Sequence, residues 1–146
     1  MPRVIVVNDQ LGTRDFAQPL REAGDIKVVA TFSGIAAALR LLSSRLPGVD
    51  LLVTYTPAGP EDLIPLRAII QLFRDAGIGT LVLADHTDRA FVEELVRVGA
   101  RGCLPAHSDA ESIIRALRLV ADPSYPLDPG LIQKVAEERV DAVPRS

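Results

Sequence analysis

Five short apolar runs, rich in β-branched residues, alternate along this chain with segments whose apolar residues recur at helical spacing. The runs are Arg3–Val7 (RVIVV), Ile26–Thr31 (IKVVAT), Asp50–Tyr55 (DLLVTY), Thr80–Ala84 (TLVLA) and Gly102–Leu104 (GCL). A strand covered on both faces reads as a continuous apolar run, and successive parallel strands need a crossover long enough to hold a helix. Between the runs, Ile35, Leu39, Leu42 and Leu46 mark one helical stripe, and Leu66, Ile69, Ile70 and Phe73 another. Phe91, Leu95 and Val98 make a third, and Ile113, Ile114, Leu117 and Val120 a fourth. A further helix is expected near Leu11–Ala23, with Pro19 kinking or restarting it. Such alternation predicts an α/β domain: a parallel sheet with right-handed crossovers and helices on both faces.

The punctuation agrees with this reading. Gly24, Gly77 and Gly99 stand where helices should end. Thr87 and Ser108 are suitable N-caps, and Glu111 three residues after Ser108 completes a capping box. After Ala121 the character changes to the turn-rich DPSYPLDPG, followed by LIQKVAEERV, whose Leu131, Ile132, Val135 and Ala136 would lie on one side of a short helix. Residues 1–121 are therefore expected to form one domain, and 122–146 a linker, a last helix and a frayed tail.

A chain of 146 residues is long enough to bury a real core. No apolar run reaches the length that spans a bilayer, so no membrane association is expected. Met1-Pro2-Arg3 leads straight into strand-like sequence, without a signal peptide, and the lone cysteine fits a reducing cytoplasm. A net charge of −3 argues against direct nucleic-acid binding, which needs a basic face.

In open α/β sheets, ligands and chemistry gather beyond the carboxyl ends of the strands. The third run, VDLLVTYTPAGP, ends there in Thr54, Tyr55 and Thr56 before Pro57, Gly59 and Pro60 stop the pairing. The first run ends in Asn8-Asp9, the fourth in Ala84-Asp85-His86, and the fifth in Pro105-Ala106-His107.

Read to about Ala121, this layout resembles the receiver domain of two-component response regulators, most closely of the NarL/LuxR type. RVIVVND, VDLLVTYTPAG, TLVLADH, VGARGCLPA and SIIRAL carry the resemblance, and YPLDPGLIQKVAEE is similar to that family's segment leading toward a helix-turn-helix domain. The resemblance implies a flavodoxin-like fold with strand order 2-1-3-4-5. It also implies a site in which an acidic pair holds Mg²⁺, an Asp accepts a phosphoryl group, and a hydroxyl residue and a Lys bind the phosphate oxygens. Transferred position by position, the acidic pair becomes Asn8 and Asp9, the phosphoacceptor Tyr55, the hydroxyl residue Ala84 and the Lys Ala106. Asp9 alone keeps its type. One carboxylate beside an amide and a phenol is a poor Mg²⁺ site, and a phenol with a reference pKa of about 10 is no substitute for a carboxylate nucleophile. With the cation and the metal missing, little remains to neutralise charge on a transferring phosphoryl group. The expectation is a non-enzymatic pseudo-receiver without metal or cofactor. It would act as a regulatory and homodimerising module, meeting DNA only through a helix-turn-helix domain outside this chain.

Other chemistries are weaker. Tyr55 as a phosphotyrosine competes with Tyr55 as a packed filler whose hydroxyl finds water or a loop carbonyl, and the filler is favoured. Asp9 reads as a loop or capping residue rather than a metal ligand. His86 and His107 lack metal-ligand spacing and read as solvent-exposed loop residues. Cys103 reads as a small buried apolar side chain. GIGT at Gly77–Thr80 precedes its strand, the wrong order for cradling phosphate, and no nucleophile elbow or P-loop is present. The alternative from another class is a small-molecule sensor whose effector sits among Asn8, Asp9, Thr54, Tyr55, Thr56, Asp85 and His107. Tyr55 lying across the mouth would favour the locked module, and an open cleft would favour the sensor. Arg115 and Arg118, beside the last apolar stripe, and the Leu131–Val140 segment are the expected dimerisation surfaces.

Overall fold

In the computed structural model, which describes residues 2–8, 15–34, 40, 48–56, 63–85 and 89–121, every apolar run becomes a strand. The strands are β1 (Arg3–Asn8), β2 (Lys27–Ser33), β3 (Leu51–Thr56), β4 (Gly79–Ala84) and β5 (Gly102–Pro105). They form one parallel sheet of order β2-β1-β3-β4-β5, the order expected of a flavodoxin-like receiver fold. β2 runs two residues further than its apolar pattern, because Asn8 still pairs with Ser33; a register shift between Val4 and Ile5 gives it one extra residue. Pro105 is tolerated because β5 is an edge strand.

Helices α1 (Ala17–Glu22), α2 (Leu63–Asp75), α3 (Arg89–Val98) and α4 (Ala110–Ala121) supply the covering layers. Strand residues alternate between the faces. Val4, Val6, Leu51, Val53, Leu81, Leu83 and Leu104 pack with Ala17 and Leu20 of α1 and with Ile113, Ala116, Leu117 and Val120 of α4. Ile5, Val7, Leu52, Val82, Ala84 and Cys103 pack instead with Leu66, Ile69, Ile70 and Phe73 of α2 and Val92, Leu95 and Val98 of α3. Each fully buried large aliphatic side chain contributes roughly 2 kcal/mol relative to exposure, so neither layer is dispensable. Leu72 and Leu119 are the large apolar side chains left exposed among the described residues.

The ends of the helices follow local chemistry. Gly77 and Gly99 have φ of +82° and +113°, so each closes its helix with a paired backbone motif. Gly77 N–H donates to Arg74 O and Ile78 N–H to Phe73 O, while Gly99 N–H donates to Val96 O and Ala100 N–H to Leu95 O. Pro19 falls in the first turn of α1, where a missing N–H leaves no bond unmade, which explains why the helix starts at Ala17.

One expectation is corrected. The cap of α4 is Asp109 and not Ser108: the Asp109 carboxylate accepts from Ser112 N–H at 2.8 Å, while the buried Ser108 hydroxyl has no partner. Arg118 is exposed beside the apolar stripe, as expected, and is ion-paired. Its guanidinium makes a two-pronged bond to Asp25 at 2.8 and 2.9 Å, tying the last turn of α4 to the turn before β2. That bond holds the Asp25 carboxyl below its ordinary value. Thr87, the Ile35–Leu46 stripe apart from Arg40, and the Leu131–Val140 segment lie outside the described residues.

The cap assignment gives a direct test by thermal denaturation. Asp109→Ala should lower stability by about 1 kcal/mol, as loss of an N-cap does. Ser108→Ala should leave the melting temperature unchanged or raise it, since it removes a buried hydroxyl that makes no hydrogen bond.

Candidate functional site

Because the strands run parallel, their carboxyl ends share one rim of the sheet, and the polar residues of the sequence collect there. Tyr55, near the end of β3, points to the face covered by α1 and α4 and packs against that core. Its ring stacks on Phe16, with centroids 5.6 Å apart and an interplanar angle of 24°. Its hydroxyl donates to Asp85 Oδ2 at 2.6 Å. The phenol therefore finds a carboxylate, where water or a loop carbonyl was expected.

Asn8, at the end of β1, turns its side chain toward the start of α1. Asn8 Oδ1 accepts from Phe16 N–H at 3.0 Å, and Asp15 Oδ1 accepts from Ala17 N–H and Gln18 N–H at 2.9 and 3.3 Å. A helix N-terminus presents donors without intrahelical partners, and these two short side chains satisfy them. Asn8 and Tyr55 are thus joined through Phe16, whose backbone bonds to one and whose ring stacks on the other.

The remaining positions divide between the two faces. Ala106 is buried with Tyr55 on the α1/α4 side, and Ala84 is buried on the α2/α3 side. Ala106 N–H donates to Ala84 O at 2.7 Å, which draws the two strand ends together. Both offer only a methyl group. Thr54 and Thr56 are buried and alternate with Tyr55, so they face away from its ring, and a ligand seated on that ring would not meet them. Thr54 Oγ1 has no hydrogen-bond partner. His107 is exposed; Asp9 and His86 lie outside the described residues. Cys103 is buried on β5, and burial pushes its thiol up to about 12, so it is no nucleophile at neutral pH.

Of the positions to which the resemblance assigns Mg²⁺ and phosphate, those described offer the ion little: Asn8 is a neutral amide whose oxygen accepts a backbone N–H and Tyr55 is a neutral phenol, whereas Mg²⁺ sites draw on carboxylates. Among the described residues, no group of three or more His, Cys, Asp or Glu side chains stands together to hold a metal.

Phe16 is the site residue that sequence reasoning missed. It precedes a helix of six residues containing a proline, too short to show periodicity. The one local signal is the Asp15 cap directly before it.

No family model matches the chain. The transcriptional regulatory protein UhpA of Salmonella typhimurium is 33% identical over 142 residues, covering 97% of this chain and 69% of that protein. The receiver domain of the response regulator NarL from Mycobacterium tuberculosis superposes with a TM-score of 0.69 at 25% identity, over 84% of this chain and 97% of that one. A LuxR-family two-component response regulator from Aurantimonas gives a TM-score of 0.66 at 26% identity, over 94% and 97% of the two chains. By name these are a regulator of transcription, a receiver domain and a response regulator. No helix among the described residues is long and apolar enough to cross a membrane. With one parallel sheet in the receiver order, helices on both faces, and a relative at 33% identity matched along nearly the whole of this chain, the chain belongs to the receiver domains of NarL/LuxR-type response regulators.

Proposed function

We propose that this receiver works without aspartyl phosphate, as a regulatory and dimerisation module of a transcriptional response regulator. The observation that carries the reading is Tyr55: an uncharged ring stands at the end of β3, stacked on Phe16 and hydrogen-bonded to Asp85. Among the described residues, the positions that would supply the missing chemistry are otherwise engaged or lack the groups for it. Asn8 is occupied as a helix cap, and Ala84 and Ala106 present methyl groups where a phosphoryl group would need a hydroxyl and a cation. The same clamped ring favours the locked module over the small-molecule sensor, because an effector would have to displace a stack and a charge-assisted bond.

Contact with DNA, on this reading, comes through a helix-turn-helix unit outside these 146 residues, with residues 122–146 as the connection. The 69% coverage of UhpA, named a transcriptional regulatory protein, supports that arrangement. Self-association uses the outer face of α4, where Arg115 is exposed and Leu119 is an exposed apolar side chain. Without phosphorylation to trigger it, pairing is constitutive.

Incubation with acetyl phosphate, or with beryllofluoride and Mg²⁺, should leave mass, melting temperature and oligomeric state unchanged. A saturable Mg²⁺-dependent shift in any of them overturns the reading. Tyr55→Asp alone should not restore a response, because the Lys and a second carboxylate are still lacking. In denaturation, Tyr55→Ala should cost about 2 kcal/mol, less than a fully buried aromatic because the ring is half-buried, and Tyr55→Phe much less. Light scattering at micromolar concentration should give a dimer for the full chain and a monomer for Leu119→Glu. A monomeric parent chain removes the dimerisation role.

A further inference from the structure

We infer that the last turn of α4, from which the chain leaves the described domain, is a post held by two unequal arginine ties: one built into the sheet, the other releasable by competing ions. Neither tie involves Tyr55, so the inference goes beyond the phosphate-independent reading and stands apart from it. An α-helix ends in carbonyl groups without intrahelical donors, and its dipole favours cations near that end. Arg101 and Arg118 both serve this end of α4. Arg101 directly precedes β5, and the partner of Arg118, Asp25, lies just before β2, so the two ties reach opposite edges of the sheet.

The first tie is part of the packing. Arg101 N–H donates to Thr80 O at 2.9 Å, which stitches its backbone to β4, and its Nε donates to Val120 O at 2.7 Å. The stem of Arg101 lies over Gly79, where a Cβ would overlap Arg101 Cδ. Gly102 leaves similar room for Val120 itself, since a Cβ there would stand 3.0 Å from Val120 Cγ1. Val120 is thus held both by its carbonyl and by its side chain, and two glycines make the space. The bond is part-buried and its acceptor is neutral, so dissolved ions have little hold on it.

The second tie is of another kind. The Arg118 guanidinium grips both oxygens of Asp25, but each side chain is 52% exposed. Two-pronged geometry gives this pair direction, whereas exposure leaves it open to screening. While the pair holds, the last turn of α4 is fastened toward both edges of the sheet. When ions compete for it, the turn is held from the β5 side and frays away from the β2 side. The body of the helix stays in place, because Ile113, Ala116 and Leu117 belong to the core. The device therefore governs how firmly the chain is aimed as it departs at Ala121. An anionic group of a partner that drew Arg118 from Asp25 would act as salt does.

Hydrogen exchange read by mass spectrometry on the full chain, comparing residues 117–121 with the rest of α4, tests this. Raising NaCl from about 0.05 M to about 1 M, where the screening length is about 3 Å, should speed exchange of the last turn roughly two- to threefold in the parent chain. Asp25→Ala, an exposed change outside α4, should show the faster exchange already at low salt and no further response to NaCl. Arg118→Gln should match it. Gly79→Ala displaces the Arg101 stem, and Arg101→Met keeps the stem but removes its donors. Each should speed last-turn exchange roughly fivefold, the effect of one net hydrogen bond on a local opening, and keep the response to salt. A parent chain without a salt response, or one that persists in Asp25→Ala and Arg118→Gln, overturns the releasable tie. Unchanged last-turn exchange in Arg101→Met overturns the built-in tie, and a uniform rise through α4 and the strands, which would report general loss of stability, overturns the post. None of these outcomes bears on the phosphodonor experiment, so the two readings fail separately.

Discussion

The interior strands β1, β3 and β4 are buried on both faces, and the other features of the domain follow from that constraint. A strand covered on both sides can carry almost nothing but apolar residues along its length, because a buried polar group without a partner costs free energy of the same order as a hydrogen bond. Val4–Val7, Leu51–Val53 and Leu81–Ala84 obey this closely. Polar chemistry is thereby displaced to the strand ends, and parallel pairing gathers those ends on one rim. The position of the candidate site is a consequence of how the core is built.

At that rim, side chains have two kinds of work open to them: meeting a ligand, or satisfying backbone groups that the helices leave open. In this chain the second kind prevails. The Asn8 amide oxygen and the Asp15 carboxylate are spent on the first donors of α1. The Asp85 carboxylate, which an exposed rim could have offered to a cation, accepts a hydrogen bond from a phenol. Ala84 and Ala106 complete the change by packing, one into each core layer, and the bond between their backbones closes the sheet where longer side chains would have stood open. The rim resembles the capped end of a structural domain more than the mouth of an active site.

Much of this was legible in the sequence because it depends on local periodicity. The five apolar runs mark the strands to within a residue or two at most ends, and the stripes Leu66-Ile69-Ile70-Phe73 and Leu95-Val98 point where periodicity says they should. What escaped depends on pairings between distant parts of the chain, or on offsets of a single residue. Arg118 and Asp25 are 93 positions apart, and nothing local in either marks the other. Ser108 and Asp109 are both good caps, and the turn after β5, where Ser108 N–H bonds to Pro105 O, decides between them. The Phe16–Tyr55 stack joins a residue outside any periodic pattern to one whose ring direction only the fold determines. Tyr55 and Asp85 stood out from the sequence; Phe16 did not.

On the phosphate-independent reading, the partners of Tyr55 explain why a single substitution would not make this rim a phosphate site. A carboxylate at position 55 would forfeit the aromatic surface that covers Phe16 and the proton that Asp85 accepts. It would also bring a second negative charge toward Asp85, while Ala106 is neutral and Arg118 is committed to Asp25. Like charges at such range oppose each other and raise the pKa of at least one carboxyl group, which weakens it as a nucleophile or metal ligand. The surrounding residues are matched to an uncharged, proton-donating ring. Each of them would have to change in concert before an acid there could be tolerated, and more again before it could react.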